Sequence, residues 1–163
     1  MAKNFWLMKS EPDECSIDDV LAASHRTVPW TGVRNYQARN FMRDDMRPGD
    51  GVLFYHSSCA EPGIAGIATV ASRAYPDATQ FDRASEYFDA AATPDKPRWL
   101  NVDVQGLRKI ELITLAELRS HPQLADLVIL RRGNRLSISP VTAAQWEFIT
   151  SVLARPQPAG RNR

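Results

Sequence analysis

The chain has 163 residues, 44% hydrophobic and 24% charged, with a formal net charge of +1. That length and balance fit one globular domain with a sizeable core and exclude a polybasic protein. No apolar run nears the ~20 residues of a membrane helix, and the run within Met1 to Ser10 is too short for a secretory leader, so a cytoplasmic protein away from membranes is expected.

Phe5 to Lys9 alternates and is rich in aromatic residues, which predicts an opening strand that Ser10-Glu11-Pro12-Asp13 ends. Ser16 and Asp19 form a capping box for a short helix through Leu21, with Ile17, Val20 and Leu21 as its buried stripe. A loop leads to Trp30, and the pattern predicts a helix from about Asn35 to Met42. Arg47-Pro48-Gly49-Asp50 is a turn before a strand over Gly51 to His56. Glu61-Pro62-Gly63 turns the chain into Ile64 to Ala71, a strand whose small residues admit another backbone close by.

Tyr75 to Pro97 is acidic and broken by prolines, a long excursion with at most one helical turn. Trp99 to Val104 alternates as a half-buried strand, and Leu107 to Ile113 continues the sheet after Gly106. Thr114 with Glu117, and Thr142 with Gln145, cap two short helices, the second carrying Trp146, Ile149 and Leu153 at core spacing. Between them Leu127 to Leu130 and Leu136 to Ile138 are short apolar runs flanking an arginine-rich loop. Residues 1–153 are thus expected to form one domain, and 154–163, without apolar period, a disordered tail. The element order implies an α+β fold whose sheet is a curled, mostly antiparallel β-barrel with flanking short helices.

Charge is unevenly placed. Arg26 to Arg47 holds five arginines against Asp44 and Asp45, and Arg131, Arg132 and Arg135 stand together without an acid. Asp77 to Asp95 carries five acids against Arg83. Such a surface can turn one basic face to nucleic acid while the whole stays near neutral.

No Walker loop or dinucleotide glycine fingerprint is present. A Ser-His-Asp triad would need His56 beside Ser57 or Ser58, and neighbours on a strand point to opposite faces. Cys15 and Cys59 form no Cys-x-x-Cys pair and have no histidine cluster nearby. No catalytic residue, metal or cofactor is therefore expected.

Trp30-Thr31-Gly32-Val33-Arg34-Asn35-Tyr36-Gln37-Ala38-Arg39-Asn40-Phe41 sets aromatic rings, arginines and amides around one glycine turn. Arginine keeps its charge, and each amide both donates and accepts. This suits a wall that stacks a flat ring, reads its edge and holds an anion; it also suits a solvated helix start after a buried tryptophan. Lys9-Ser10, Tyr55-His56-Ser57 and Arg98-Trp99 lie at strand ends that a curled sheet would bring to one rim, the set needed to hold a flipped-out base. Taken singly, Trp99 and Tyr55 also fit the core, His56 a satisfied core histidine, and Ser10 a turn cap.

Lys9-Ser10-Glu11-Pro12, the stretch from Trp30 to Asn40, Phe54-Tyr55-His56-Ser57, Pro62-Gly63-Ile64-Ala65-Gly66, Pro97-Arg98-Trp99 and Arg132-x-Asn134-Arg135-Leu136-Ser137 together resemble the EVE domain, in order from about Phe5 to Leu153. The resemblance implies a PUA-like fold and a non-catalytic reader of modified bases, chiefly modified cytosine in DNA; a monomer is expected. By the same resemblance Lys9, Ser10, Trp30, Val33, Asn35, Tyr55, His56, Ser57 and Trp99 would form the base pocket. Arg34, Arg39, Arg98 and Arg132 would meet phosphate. An RNA-modification binder, a binder of a small heterocycle and a nucleotide-processing enzyme stay open as alternatives.

Overall fold

The computed structural model describes residues 3–157. Six strands form one sheet: β1 (Phe5–Ser10), β2 (Thr27–Pro29), β3 (Gly51–His56), β4 (Gly63–Val70), β7 (Asp103–Thr114) and β8 (Ile138–Val141). Their order is β2-β7-β4-β3-β1-β8; β5 (Tyr75–Pro76) and β6 (Leu100–Asn101) pair separately. The helices are α1 (Ile17–Ala22), α2 (Tyr36–Asn40), α3 (Leu115–Arg119) and α4 (Ala143–Phe148), with α2 and α4 running on into π-helical turns. None is long and apolar enough to cross a membrane among the described residues.

The fold is mixed α+β and the sheet mostly antiparallel, with β1 and β3 as its parallel pair, Phe5 beside Gly51 through Ser10 beside His56. The expected barrel is corrected: the sheet is open, with β2 and β8 at its edges. Both edges carry a proline, Pro29 in the three-residue β2 and Pro140 in β8, so neither offers a full row of donors to another strand.

Alternation along the strands explains two cores. Met8 and Phe54 face a layer with Ile17 and Val20 of α1 and Ala38 and Met42 around α2. Leu7, Leu53 and Tyr55 face the opposite layer, with Leu118 of α3 and Ile149 and Leu153 after α4. Shifts in the β4–β7 register near Gly66 let β7 serve both, Val104 on the first side and Ile110 on the second.

Local signals place the helices. Ser16 and Asp19 form the reciprocal cap of α1, and Thr142 and Gln145 that of α4. Thr114 caps α3 through the Glu117 amide alone, half of the expected box. Buried Asp50 closes the turn before β3, accepting from the Asn4 and Arg47 amides and from Trp6 Nε1. The tail expected from Ala154 begins in contact: Arg155 O accepts from Glu111 N, and Pro156 bridges Ile110. Residues 158–163 lie outside the described residues.

Gly63 starts β4 with its α-carbon against the backbone of Ile113, so an added Cβ would meet the Ile113 carbonyl oxygen. Gly63→Ala is expected to destabilise the fold by about 1–3 kcal/mol, as overpacking does, read as a lower urea midpoint at unchanged slope.

Candidate nucleic-acid interface

A cleft of about 640 Å³ opens where β1 and β3 end. Lys9, Ser10 and Ser57 form its sheet side, and Trp30 with Val33 the wall opposite. The β1–α1 loop contributes Glu11, Glu14 and Cys15, the excursion Tyr87, and the loop before β8 Arg135 and Ser137. Backbone bonds join these pieces: Ser57 N to Ser10 O at 2.9 Å, and Lys9 N to Ser137 O at 2.8 Å. Ser10 Oγ donates to Cys15 O at 2.6 Å, folding the β1–α1 loop back over the strand end.

Trp30 is 7% exposed and belongs to both core and cleft. Its backbone N–H bonds Val102 O, and its ring meets Phe54 edge-on at 5.3 Å, which fixes the plane of the wall. Lys9 and Arg135 have no side-chain hydrogen bond or ion pair among the described residues. Partial burial draws the Lys9 pKa below the ordinary lysine value. The Cys15 thiol is pushed up by burial and by Asp19 and Glu14, which keeps it protonated and a poor nucleophile.

Not every residue expected in the pocket lines it. Asn35 is the N-cap of α2, its Oδ1 accepting from Ala38 N at 3.0 Å. Tyr55 is 2% exposed in the core on the α3–α4 side, because it alternates with Phe54 along β3. His56 Nε2 accepts the first amide of α1, Ile17 N, at 3.1 Å, so its neutral ring carries the proton on Nδ1. Trp99, 6% exposed, stacks on Tyr36 at 4.8 Å and donates from Nε1 to Asp89.

Arg34, expected to meet phosphate, is engaged inside the protein. Its five N–H groups all have internal partners: Tyr87 O twice, Val33 O, Asp77 Oδ2 and Thr79 Oγ1. The guanidinium lies 5.4 Å from both the Tyr87 and Trp99 rings. Asp77, fully buried, also accepts from Gly32 N and from Thr79 N and Oγ1. Burial pushes this carboxyl's pKa up, but the bonds from Thr79, Gly32 and Arg34 outweigh it and hold the group below the usual aspartate value. Arg39 covers Tyr36 at 4.8 Å and bonds Asn40 and Arg98 O, while Arg98 reaches toward Asp89 at 3.8 Å. Both lie outside the cleft wall, as does the exposed Arg132, three residues before Arg135.

Sequence reasoning missed Tyr87 and Arg135 as lining residues. Tyr87 lies in the excursion, and its only local mark was to be aromatic among acids. At Gly32, with φ +83°, an added Cβ would meet the Tyr87 ring at 2.7 Å, so the glycine turn exists to let that ring in.

The EVE domain model matches residues 4–152. The chain belongs to the EVE domain family. It is 43% identical over 165 residues to human thymocyte nuclear protein 1, covering 90% of this chain and 72% of that protein. Among solved structures, human THYN1 protein in complex with 5-methylcytosine containing DNA is similar at TM-score 0.87 and 42% identity, over 91% of this chain and 96% of that one. A hypothetical protein from Leishmania major is similar at TM-score 0.86 and 46% identity, over 91% and 93%.

Asp77→Ala leaves the Arg34 guanidinium without its counter-charge, and removing one partner of a buried pair is costly. We expect a loss of about 3 kcal/mol, measured by urea unfolding. His56 gives a pH signature. Its folded pKa is lowered, by burial first, with Asp18 opposing and Lys109 assisting. The unfolded state therefore binds the proton more readily, and stability falls as pH drops below about 6.5 toward the folded value. His56→Gln should flatten that part of the melting-temperature profile.

Proposed function

We propose that this EVE domain reads modified DNA without turning it over, receiving an extruded modified cytosine in the cleft between Trp30 and the ends of β1 and β3. The observation that carries the reading is the cleft's make-up. One immobilised aromatic wall faces a polar strand end, and two cations without side-chain partners among the described residues, Lys9 and Arg135, stand in the lining. A base out of the stack needs a π surface and edge hydrogen bonds, and its flanking phosphates need cations. The likeness to human THYN1 protein, crystallised with 5-methylcytosine containing DNA, supports the same ligand class. Binding without chemistry agrees with a protonated Cys15 and with His56 engaged by a backbone amide.

The test is a set of titrations with duplexes carrying 5-methylcytosine or cytosine at one position, across a salt series. Trp30→Leu is chosen over alanine because most of the ring lies in the core. Loss of stacking, roughly 1–3 kcal/mol by alanine substitution, should fall mainly on the modified duplex and shrink its advantage. Arg135→Ala should weaken both duplexes alike and lower the salt slope by about one unit. Circular dichroism confirms folding, and mass spectrometry of the recovered DNA checks for turnover. Full discrimination by a folded Trp30→Leu overturns the pocket, and chemical change of the DNA overturns the non-catalytic reading.

A further inference from the structure

A methyl group alone cannot identify methylated cytosine. 5-Methylcytosine and thymine share the 5-methyl group and the 2-carbonyl; at position 4 one carries an amino donor and the other a carbonyl acceptor. Lys9 and Arg135 only donate. At position 4 they would favour thymine, whose carbonyl they can meet. A fixed acceptor facing position 4 is the group that would read the amino group and reject thymine there.

We propose that Glu14, aimed by Tyr87, is that acceptor: it takes a hydrogen bond from the 4-amino group and makes the cleft selective against thymine. This rests on the base-pocket reading above. Both residues line the cleft, from loops 73 positions apart in the chain. Tyr87 Oη donates to Glu14 Oε1 at 2.6 Å, while Glu14 Oε2 has no hydrogen bond among the described residues. Tyr87 is itself held from three sides: its ring packs on Gly32, its carbonyl takes two Arg34 donors, and its amide bonds Ser85 Oγ. The bond to Glu14 is also the largest cause that raises the Tyr87 pKa, with burial and Glu86 adding to the rise, and this keeps the phenol a donor. Glu11 shares the wall, but its side chain has no such partner among the described residues to orient it. A carboxylate accepting from the cytosine amino group is an established pairing, and it meets thymine's carbonyl with repulsion instead.

The experiment places 5-methylcytosine, cytosine or thymine opposite an abasic site, so that no target is held by a pairing partner. Wild type, Glu14→Gln and Tyr87→Phe are titrated with each. Glutamine keeps the length but adds a donor that thymine can use, so the preference for 5-methylcytosine over thymine should fall about tenfold. The preference for 5-methylcytosine over cytosine should stay unchanged. Tyr87→Phe keeps the ring and loses the orienting hydroxyl; it should give a smaller loss of the same ratio. If Glu14→Gln keeps the wild-type ratio, Glu14 does not read the amino group and this assignment falls while the pocket stands. If wild type itself does not distinguish the three targets, the pocket reading beneath it fails.

Discussion

Arg34 and Asp77 meet at 3.2 Å, and the shape of the cleft is set from that pair. A buried carboxylate is tolerated only when its lone pairs are used, and Asp77 accepts from an amide, a hydroxyl and a guanidinium as well as from its own capped turn. Those bonds tie the loop after Trp30 to an excursion with little apolar surface of its own. Gln80 finishes the tie inside the excursion, accepting from the Arg98 and Trp99 amides and donating to the Asp77 and Trp99 carbonyls. Polar satisfaction here replaces the hydrophobic burial that organises the sheet.

One consequence is a division among the arginines. Arg34 and Arg39 are five residues apart and chemically identical, yet the first is a structural cation spent on carbonyls and a carboxylate, and the second covers an exposed tyrosine. Arg135, from another part of the chain, supplies the cleft's available guanidinium. The net charge of +1 says nothing of this distribution; the charge that matters for a ligand is the charge left over after folding.

Much of what depends on neighbours in sequence was legible in it, though the Thr114 box formed only by half and the short β2 read as loop. The capping boxes at Ser16 and Thr142 and the strand from Gly51 to His56 stand where the pattern put them. Of the site, Lys9, Ser10, Trp30, Val33 and Ser57 line one cleft. What was not legible depends on partners far along the chain. Arg34 read as a free cation because Asp77 is 43 residues away. Tyr55 read as a pocket residue because alternation gives two faces without saying which one meets the cleft. The barrel failed for a similar reason: closure depends on whether the edge strands can pair, and the prolines that cap them sit in short strands that carry little period of their own.

The parallel pairing of β1 with β3 bears on how such a cleft can form. Antiparallel neighbours joined by a hairpin close their shared end with a tight turn, whose length is constrained by strand geometry. Parallel neighbours leave the sheet at the same end and must diverge, so a gap forms between the departing chains. Here the chain after Ser10 turns toward α1 and the chain after His56 turns toward β4, and the cleft occupies the gap between them. Neither departing loop sets the register of the pair above it. The side chains of Glu11, Glu14 and Ser57 stand outside the β1–β3 ladder, so the lining of the cleft is separable from the register of the sheet beneath it.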